Sequence, residues 1–184
     1  MNFFTADEHY GHANVIRFCK RPFTDVNDMT ERLIENHNAV VRKGDCVYHC
    51  GDMFWRTVSI PEANRIMDRL NGKHYLLVGN HDEVAKAIAG RFEWVRECAL
   101  IHAPTRVWCS HYAHRSWPDS HKFSYHVYGH THNELSDYRY STDVGVDTKG
   151  YAPFSYDQLT AYMAAKGQFK PDEVQIAMYK QEKI

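Results

Sequence analysis

Short apolar runs along this chain repeatedly end in a turn and a polar cluster. Residues 2–6 stop at Asp7, 46–50 at Gly51-Asp52, 74–78 at Gly79-Asn80, 106–109 at Ser110-His111 and 125–128 at Gly129-His130. Each run predicts a short buried strand that delivers a polar loop at its C-terminal end. Helical patterns lie between them. Residues 27–41 place Met29, Leu33, Ile34, Ala39, Val40 and Val41 on roughly one face, with Asp28 or Thr30 as cap and Gly44 as stop. Residues 59–70 open with Ser59, carry Pro61 in the first turn and continue through Ile66, Met67 and Leu70. A shorter helix is expected over 83–89, one or two strands over 92–102, and a helix over 156–165. The alternation of Val174, Ile176 and Met178 suggests a late strand.

Strands alternating with helices imply a layered α/β domain, in which ligand sites gather at the carboxyl ends of strands. With no repeat, low-complexity segment or evident linker, residues 1–184 are expected to form one domain.

Composition changes this picture little. Hydrophobic residues make up 43% and charged residues 24% of the chain, and the net charge of −1 gives no global basic field for a polyanion. Histidine stands out at 13 residues, several of them in turns flanked by apolar runs. Cys19, Cys46, Cys50, Cys98 and Cys109 are odd in number and lack Cys-x-x-Cys spacing. They read as reduced core thiols of a cytosolic protein rather than a disulfide framework, with Cys46 and Cys50 as soft metal ligands a minor alternative. The first residues lack a basic and apolar leader, and no stretch nears the ~18 apolar residues of a membrane span. The expected compartment is the cytosol.

The five loops carry Asp7-Glu8-His9, Gly51-Asp52, Gly79-Asn80-His81-Asp82, Ser110-His111 and Gly129-His130-Thr131-His132. Gly-Asp alone means little; all five in order supply two carboxylates, an amide and five imidazoles, a set that suits a pair of divalent cations. Asp7 and His9, at i and i+2, point to the same side of an extended segment and can chelate one ion, and His130 and His132 repeat the spacing. Mixed imidazole and hard oxygen donors suit Mn, Fe, Zn, Co or Ni better than Ca or Mg, and Mn is the first expectation among them. Two such ions, against Asp7, Asp52 and a bridging hydroxide, keep a positive charge that attracts phosphate esters.

In these motifs, and across roughly residues 2–147, the chain resembles the calcineurin-like metallophosphoesterases. The resemblance implies two mixed β-sheets packed as a sandwich flanked by helices. It implies a first metal held by Asp7, His9, Asp52 and His132, and a second held by Asp52, Asn80, His111 and His130, with Asp52 bridging. It also implies a dinuclear phosphohydrolase, most simply a phosphodiesterase, in which metal-activated hydroxide attacks phosphorus in line with the leaving oxygen. His81 would face the substrate as proton donor, with Asp82 orienting it.

Tyr10-Gly11-His12, followed by Asn14, extends the first motif as in a compact bacterial and phage branch of the family, which makes His12 a further candidate to face substrate. Arg56 and Arg115 are candidates to bind phosphate oxygens. Trp55, Trp117, Tyr10 and Tyr112 lie near the loops and offer stacking on a nucleobase, with ordinary packing the stronger reading. Expected partners are a small phosphate ester or nucleotide, with neither a long nucleic acid nor a membrane. A nuclease on single-stranded nucleic acid and a non-catalytic scaffold are the alternatives. The first is opposed by the charge balance; the second by a complete ligand set.

Overall fold

The computed structural model describes residues 1–167, and two mixed sheets form its centre. The first has strand order β4-β3-β2-β1-β9, built from β1 (Asn2–Thr5), β2 (Cys46–His49), β3 (Lys73–Leu77), β4 (Val95–Arg96) and β9 (Phe154–Ser155). The strands β1 to β4 pair in parallel and β9 runs antiparallel to β1. The second sheet has order β5-β6-β7-β8, from β5 (Cys98–Ile101), β6 (Val107–Ser110), β7 (Tyr125–Tyr128) and β8 (Ser141–Asp143). The helices are α1 (Ala13–Phe18), α2 (Val26–Val40), α3 (Ile60–Arg69), α4 (Glu83–Ala87) and α5 (Tyr156–Ala165).

Alternation along the strands sorts side chains into two layers. Phe4, Ala6, Tyr48, Cys50 and Leu77 meet Ala99, Ile101, Val107, Cys109 and Val127 of the second sheet in one apolar layer. On the opposite face, Leu76 packs with Met29, Leu33 and Ile34 of α2, Ala63, Ile66 and Met67 of α3, and Val84 and Ala85 of α4. Leu76 and Leu77 are fully buried, so truncating either to alanine should cost about 2–5 kcal/mol. α5 adds Leu159 and Met163 to the layer between the sheets. The segment between β6 and β7, which includes a short 3-10 turn at Ser120–Lys122, packs on the second sheet. There Trp117 is buried and donates to the Ser124 carbonyl at 3.1 Å, and His126 accepts from the His114 backbone N–H at 3.0 Å. The two mixed sheets with flanking helices are the architecture that the resemblance implied.

Several boundaries differ from the sequence reading. α2 begins at Val26, because Asp25 accepts from the N–H groups of Asn27 and Asp28, while the Asp28 carboxylate turns back to the Thr24 N–H at 2.9 Å. Ser59 caps α3 through the Glu62 N–H, with Pro61 in the first turn as expected. The stretch 92–102 holds two strands in different sheets, so the chain crosses between sheets at Glu97. The strand expected around Val174, Ile176 and Met178 lies outside the described residues. Among the described residues no helix is long and apolar enough to cross a membrane.

Candidate metal centre

The loops after β1, β2, β3, β6 and β7 carry Asp7 and His9, Asp52, Asn80, His111, and His130 and His132. Five of these seven residues sit in the left-handed region: Asp7 (φ 57°), His9 (51°), Asp52 (58°), His130 (70°) and His132 (45°). Such a conformation costs a side-chain-bearing residue on the order of 1 kcal/mol, so its repetition at one strand-end cluster marks a geometry imposed by the surroundings. Close approach of the loops also dictates two glycines. Gly51, at φ 94°, packs where a Cβ would meet the Gly79 backbone at 2.8 Å, and a Cβ on Gly129 would meet Asp7 Oδ2 at 2.7 Å.

The seven side chains assemble into two adjoining donor groups. Asp7, His9 and His132 form one, and Asp52, His111 and His130 the other, each with ligand atoms within 4.8 Å of one another. Asp52 Oδ2 lies 3.8 Å from His9 Nε2 in the first group and 3.5 Å from His111 Nε2 in its own. Asn80 Oδ1 joins the second group 3.0 Å from His111 Nε2. His111 Nδ1 must carry a proton, because it faces the Cys50 carbonyl at 2.8 Å. Its Nε2 is therefore the nitrogen turned toward the oxygens of Asn80 and Asp52.

This donor set fits cations. Asp7 Oδ1 and His9 Nδ1 are buried without a hydrogen-bond partner. Burial, reinforced by the charges of Asp143 and Asp52, pushes the Asp7 carboxyl well above its ordinary range. Burial also drives His9 down to about 3, which leaves a neutral imidazole with lone pairs to offer. Burial alone would raise Asp52, but its bond to His111 and the charge there bring it down to about 2. Buried carboxylates and imidazole nitrogens facing one another are stable when a divalent ion sits between them.

A ring of residues with no motif of their own holds these ligands. His132 Nδ1 donates to Asp147 Oδ2 at 2.7 Å, which aims its other nitrogen at the first group. Asp147 in turn receives Nε and Nη2 of Arg21, both at 2.8 Å. The same guanidinium donates to the carbonyls of Asp7 (2.7 Å) and Glu8 (2.9 Å), so one buried arginine ties the first motif to the last. Asp143 accepts from the Thr131 hydroxyl at 2.6 Å and the Asn133 N–H at 3.2 Å, and so fixes the Gly-His-Thr-His loop. Glu8, between two ligands, points away and accepts from His49 Nδ1 at 2.7 Å.

Asp82 departs from its expected role. Its carboxylate accepts from the N–H groups of Gly79 (2.7 Å), Asp52 (2.8 Å) and Met53 (2.9 Å). Both oxygens are thereby committed to backbone, so Asp82 clamps the Asp52 and Asn80 loops together rather than pairing with the His81 ring.

Comparison with known proteins decides the family. The profile described as calcineurin-like phosphoesterase matches residues 3–113. The chain belongs to the calcineurin-like phosphoesterases. It is also similar to an uncharacterized protein of Methanocaldococcus jannaschii, 32% identical over 174 residues, which cover 89% of this chain and 90% of that one. A crystal structure of a protein of unknown function from Aquifex aeolicus superposes with a TM-score of 0.71 at 25% identity, covering 88% of this chain and 98% of that one. Membership brings a general expectation of metal-dependent phosphoester hydrolysis with divalent ions.

In this calcineurin-like phosphoesterase the donor groups open into a cleft of 560 Å³. His81 lines it, its backbone N–H donating to Asp52 Oδ1 at 2.8 Å and its ring 4.8 Å from that of Trp55. His12 also lines it, stacked face to face on Trp55 with centroids 3.7 Å apart. Arg56 and Arg115 lie outside the lining: their guanidiniums stack on the rings of Trp55 and Tyr138 at 5.2 and 4.4 Å. Tyr10 and Trp117 are buried in packing, and exposed Tyr112 stands edge-on to His130.

Proposed function

We propose that the protein is a dinuclear, metal-dependent phosphodiesterase. The observation that carries the reading is the meeting of two donor groups at one atom, Asp52 Oδ2, on the floor of a ligand-sized cleft. Asp7, His9 and His132, with Asp52, would hold one divalent ion; Asp52, Asn80, His111 and His130 would hold the other. Such ions, when bound, supply Lewis acidity and lower the pKa of water. The donor chemistry suits Mn, Fe, Zn, Co or Ni, and Mn is the first to be tried.

The chain's own residues do the rest. Asp147 and the Cys50 carbonyl hold His132 and His111 in fixed tautomers. His81 stands at the lip of the donor groups, its ring 5.9 Å from that of His9. It is placed to give a proton to the departing ester oxygen, while the oxygen of a water molecule becomes bonded to phosphorus. His12, made rigid by Trp55, lines the same side.

A diester is favoured over a monoester because the cleft lining holds no lysine or arginine to neutralise a second phosphate charge. The same lack opposes phosphate tracking along a long nucleic acid. The free thiols of all five cysteines suit a reducing compartment such as the cytosol. The test is hydrolysis of bis(p-nitrophenyl) phosphate by the purified chain. Chelator should abolish it and Mn restore it; equal turnover in metal-free protein defeats the proposal.

A further inference from the structure

The cleft is larger than a phosphoryl group needs. Its 560 Å³ falls among sites that enclose a whole small molecule. Its lining divides in two. His9, Asp52, Asn80, His81, His130 and His132 make a polar end, and Val15, Phe18, Cys19 and Leu135 make an apolar flank. α1 supplies Val15 and Phe18, and the chain just past the Gly-His-Thr-His turn supplies Leu135. Phe18 and Leu135 stand 64% and 48% exposed, so their apolar surface remains available to a ligand. Trp55 offers less, because His12 already covers one face of its ring. Outside the polar end, the one charged residue of the lining is Glu134.

We infer that the cleft selects monoanionic phosphodiesters whose arm opposite the leaving group is uncharged and flat or apolar, as a nucleoside is, and that this arm lies on Phe18 and Leu135. This inference rests on the phosphodiesterase reading and adds to it the identity of the arm. Burial of the arm against two exposed apolar side chains removes surface from water on both partners. The Glu134 carboxylate repels an arm that ends in a further phosphate. Specificity then comes from the flank and the rejection of charge, while the polar end handles any diester phosphate alike.

The test compares two esters with the same leaving group on the full chain with Mn: methyl p-nitrophenyl phosphate and the p-nitrophenyl ester of thymidine monophosphate. In each, water adds across one P–O bond, p-nitrophenolate leaves and the other ester stays on phosphorus. Wild type should favour the thymidine ester in kcat/KM by about tenfold, the scale on which an apolar contact discriminates. The double variant Phe18→Ser, Leu135→Ser should bring that ratio close to one. Independently, Glu134→Lys should raise kcat/KM for a thymidine ester bearing a second, terminal phosphate by about tenfold relative to the uncharged-arm ester. All three are exposed positions, so circular dichroism should show an unaltered fold. A wild-type ratio near one, a ratio that survives the double variant, or no gain with Glu134→Lys overturns the inference. Absence of turnover with the methyl ester as well overturns the phosphodiesterase reading itself.

Discussion

Removal of the Arg21 side chain should both unfold the protein more easily and loosen the metal centre. The guanidinium is buried, with its side chain 0% exposed, and it serves four oxygen acceptors, both oxygens of Asp147 and the carbonyls of Asp7 and Glu8, besides the Met29 sulfur. Arg21→Ala leaves Asp147 with His132 as its remaining side-chain partner and strands two carbonyls beside it. Breaking a buried ion pair by deleting one member costs about 3–5 kcal/mol, and each unsatisfied acceptor adds on the order of 1 kcal/mol. The expected loss is therefore about 5–7 kcal/mol, a large part of the ~5–15 kcal/mol that holds an ordinary domain folded. Arg21→Lys keeps the charge but not the fork that reaches two residues at once, so about half that loss is expected. Urea unfolding reads both variants as a lower midpoint at unchanged slope. Metal affinity, measured by titration, should fall about 10–100-fold because the second partner of His132 is disturbed. A loss under ~1 kcal/mol for Arg21→Ala, with metal affinity unchanged, refutes the claim that this residue holds the two motifs together.

Other outcomes follow from the same geometry. His81→Ala should retain metal while diester turnover drops about 10²–10⁴-fold; turnover within a few-fold of wild type removes the proton-donor role. His37 and His126 are buried neutral, burial lowering each from 6.5 to about 4. The unfolded chain takes up protons first, so their contribution is complete above pH 6.5 and is lost as pH falls toward 4. The first pH unit below 6.5 should cost about 1 kcal/mol per histidine. Replacing either with glutamine should flatten the measured stability–pH curve there, and an unaltered slope contradicts the assignment.

The parallel strands were legible because buried strands read as apolar runs, and their turn-rich ends pointed to the site. β8 escaped notice since Ser141, Thr142 and Asp143 are polar yet buried, their polar groups satisfied locally. β9 has two residues and α1 six, too few for a period to show. Within the site, residues at the strand ends announced themselves by local spacing. Arg21 and Asp147 did not, because they meet across 126 positions of sequence and neither sits in a recurrent pattern. Asp82 was visible but misassigned: its motif places it next to His81, whereas the fold turns its carboxylate toward three backbone N–H groups.

Charge accounting explains why the centre demands cations and what it costs without them. Asp7, Glu8, Asp52, Asp82 and Asp143 are all buried, while Arg21 is the one lysine or arginine buried among the described residues. Asp82 and Asp143 are satisfied by N–H and O–H donors, whereas Glu8 pairs with His49 through one oxygen and leaves the other unpartnered. Asp7, the one of these that belongs to the first donor group, likewise has one oxygen bonded to the His130 N–H and the other unpartnered. Folding without metal therefore pays to bury or protonate this group. Asp7→Asn should relieve that cost, since asparagine also tolerates the left-handed backbone at φ 57°. In chelator the variant should be more stable than wild type by on the order of 1 kcal/mol. On adding Mn the order should reverse, because wild type gains stability as RT ln(1 + [Mn]/Kd) and the variant has lost a ligand. Thermal melts of both proteins in chelator and in Mn decide it. If Asp7→Asn is the less stable protein in chelator, the carboxylate is not a burden on the metal-free fold, and its burial needs another cause.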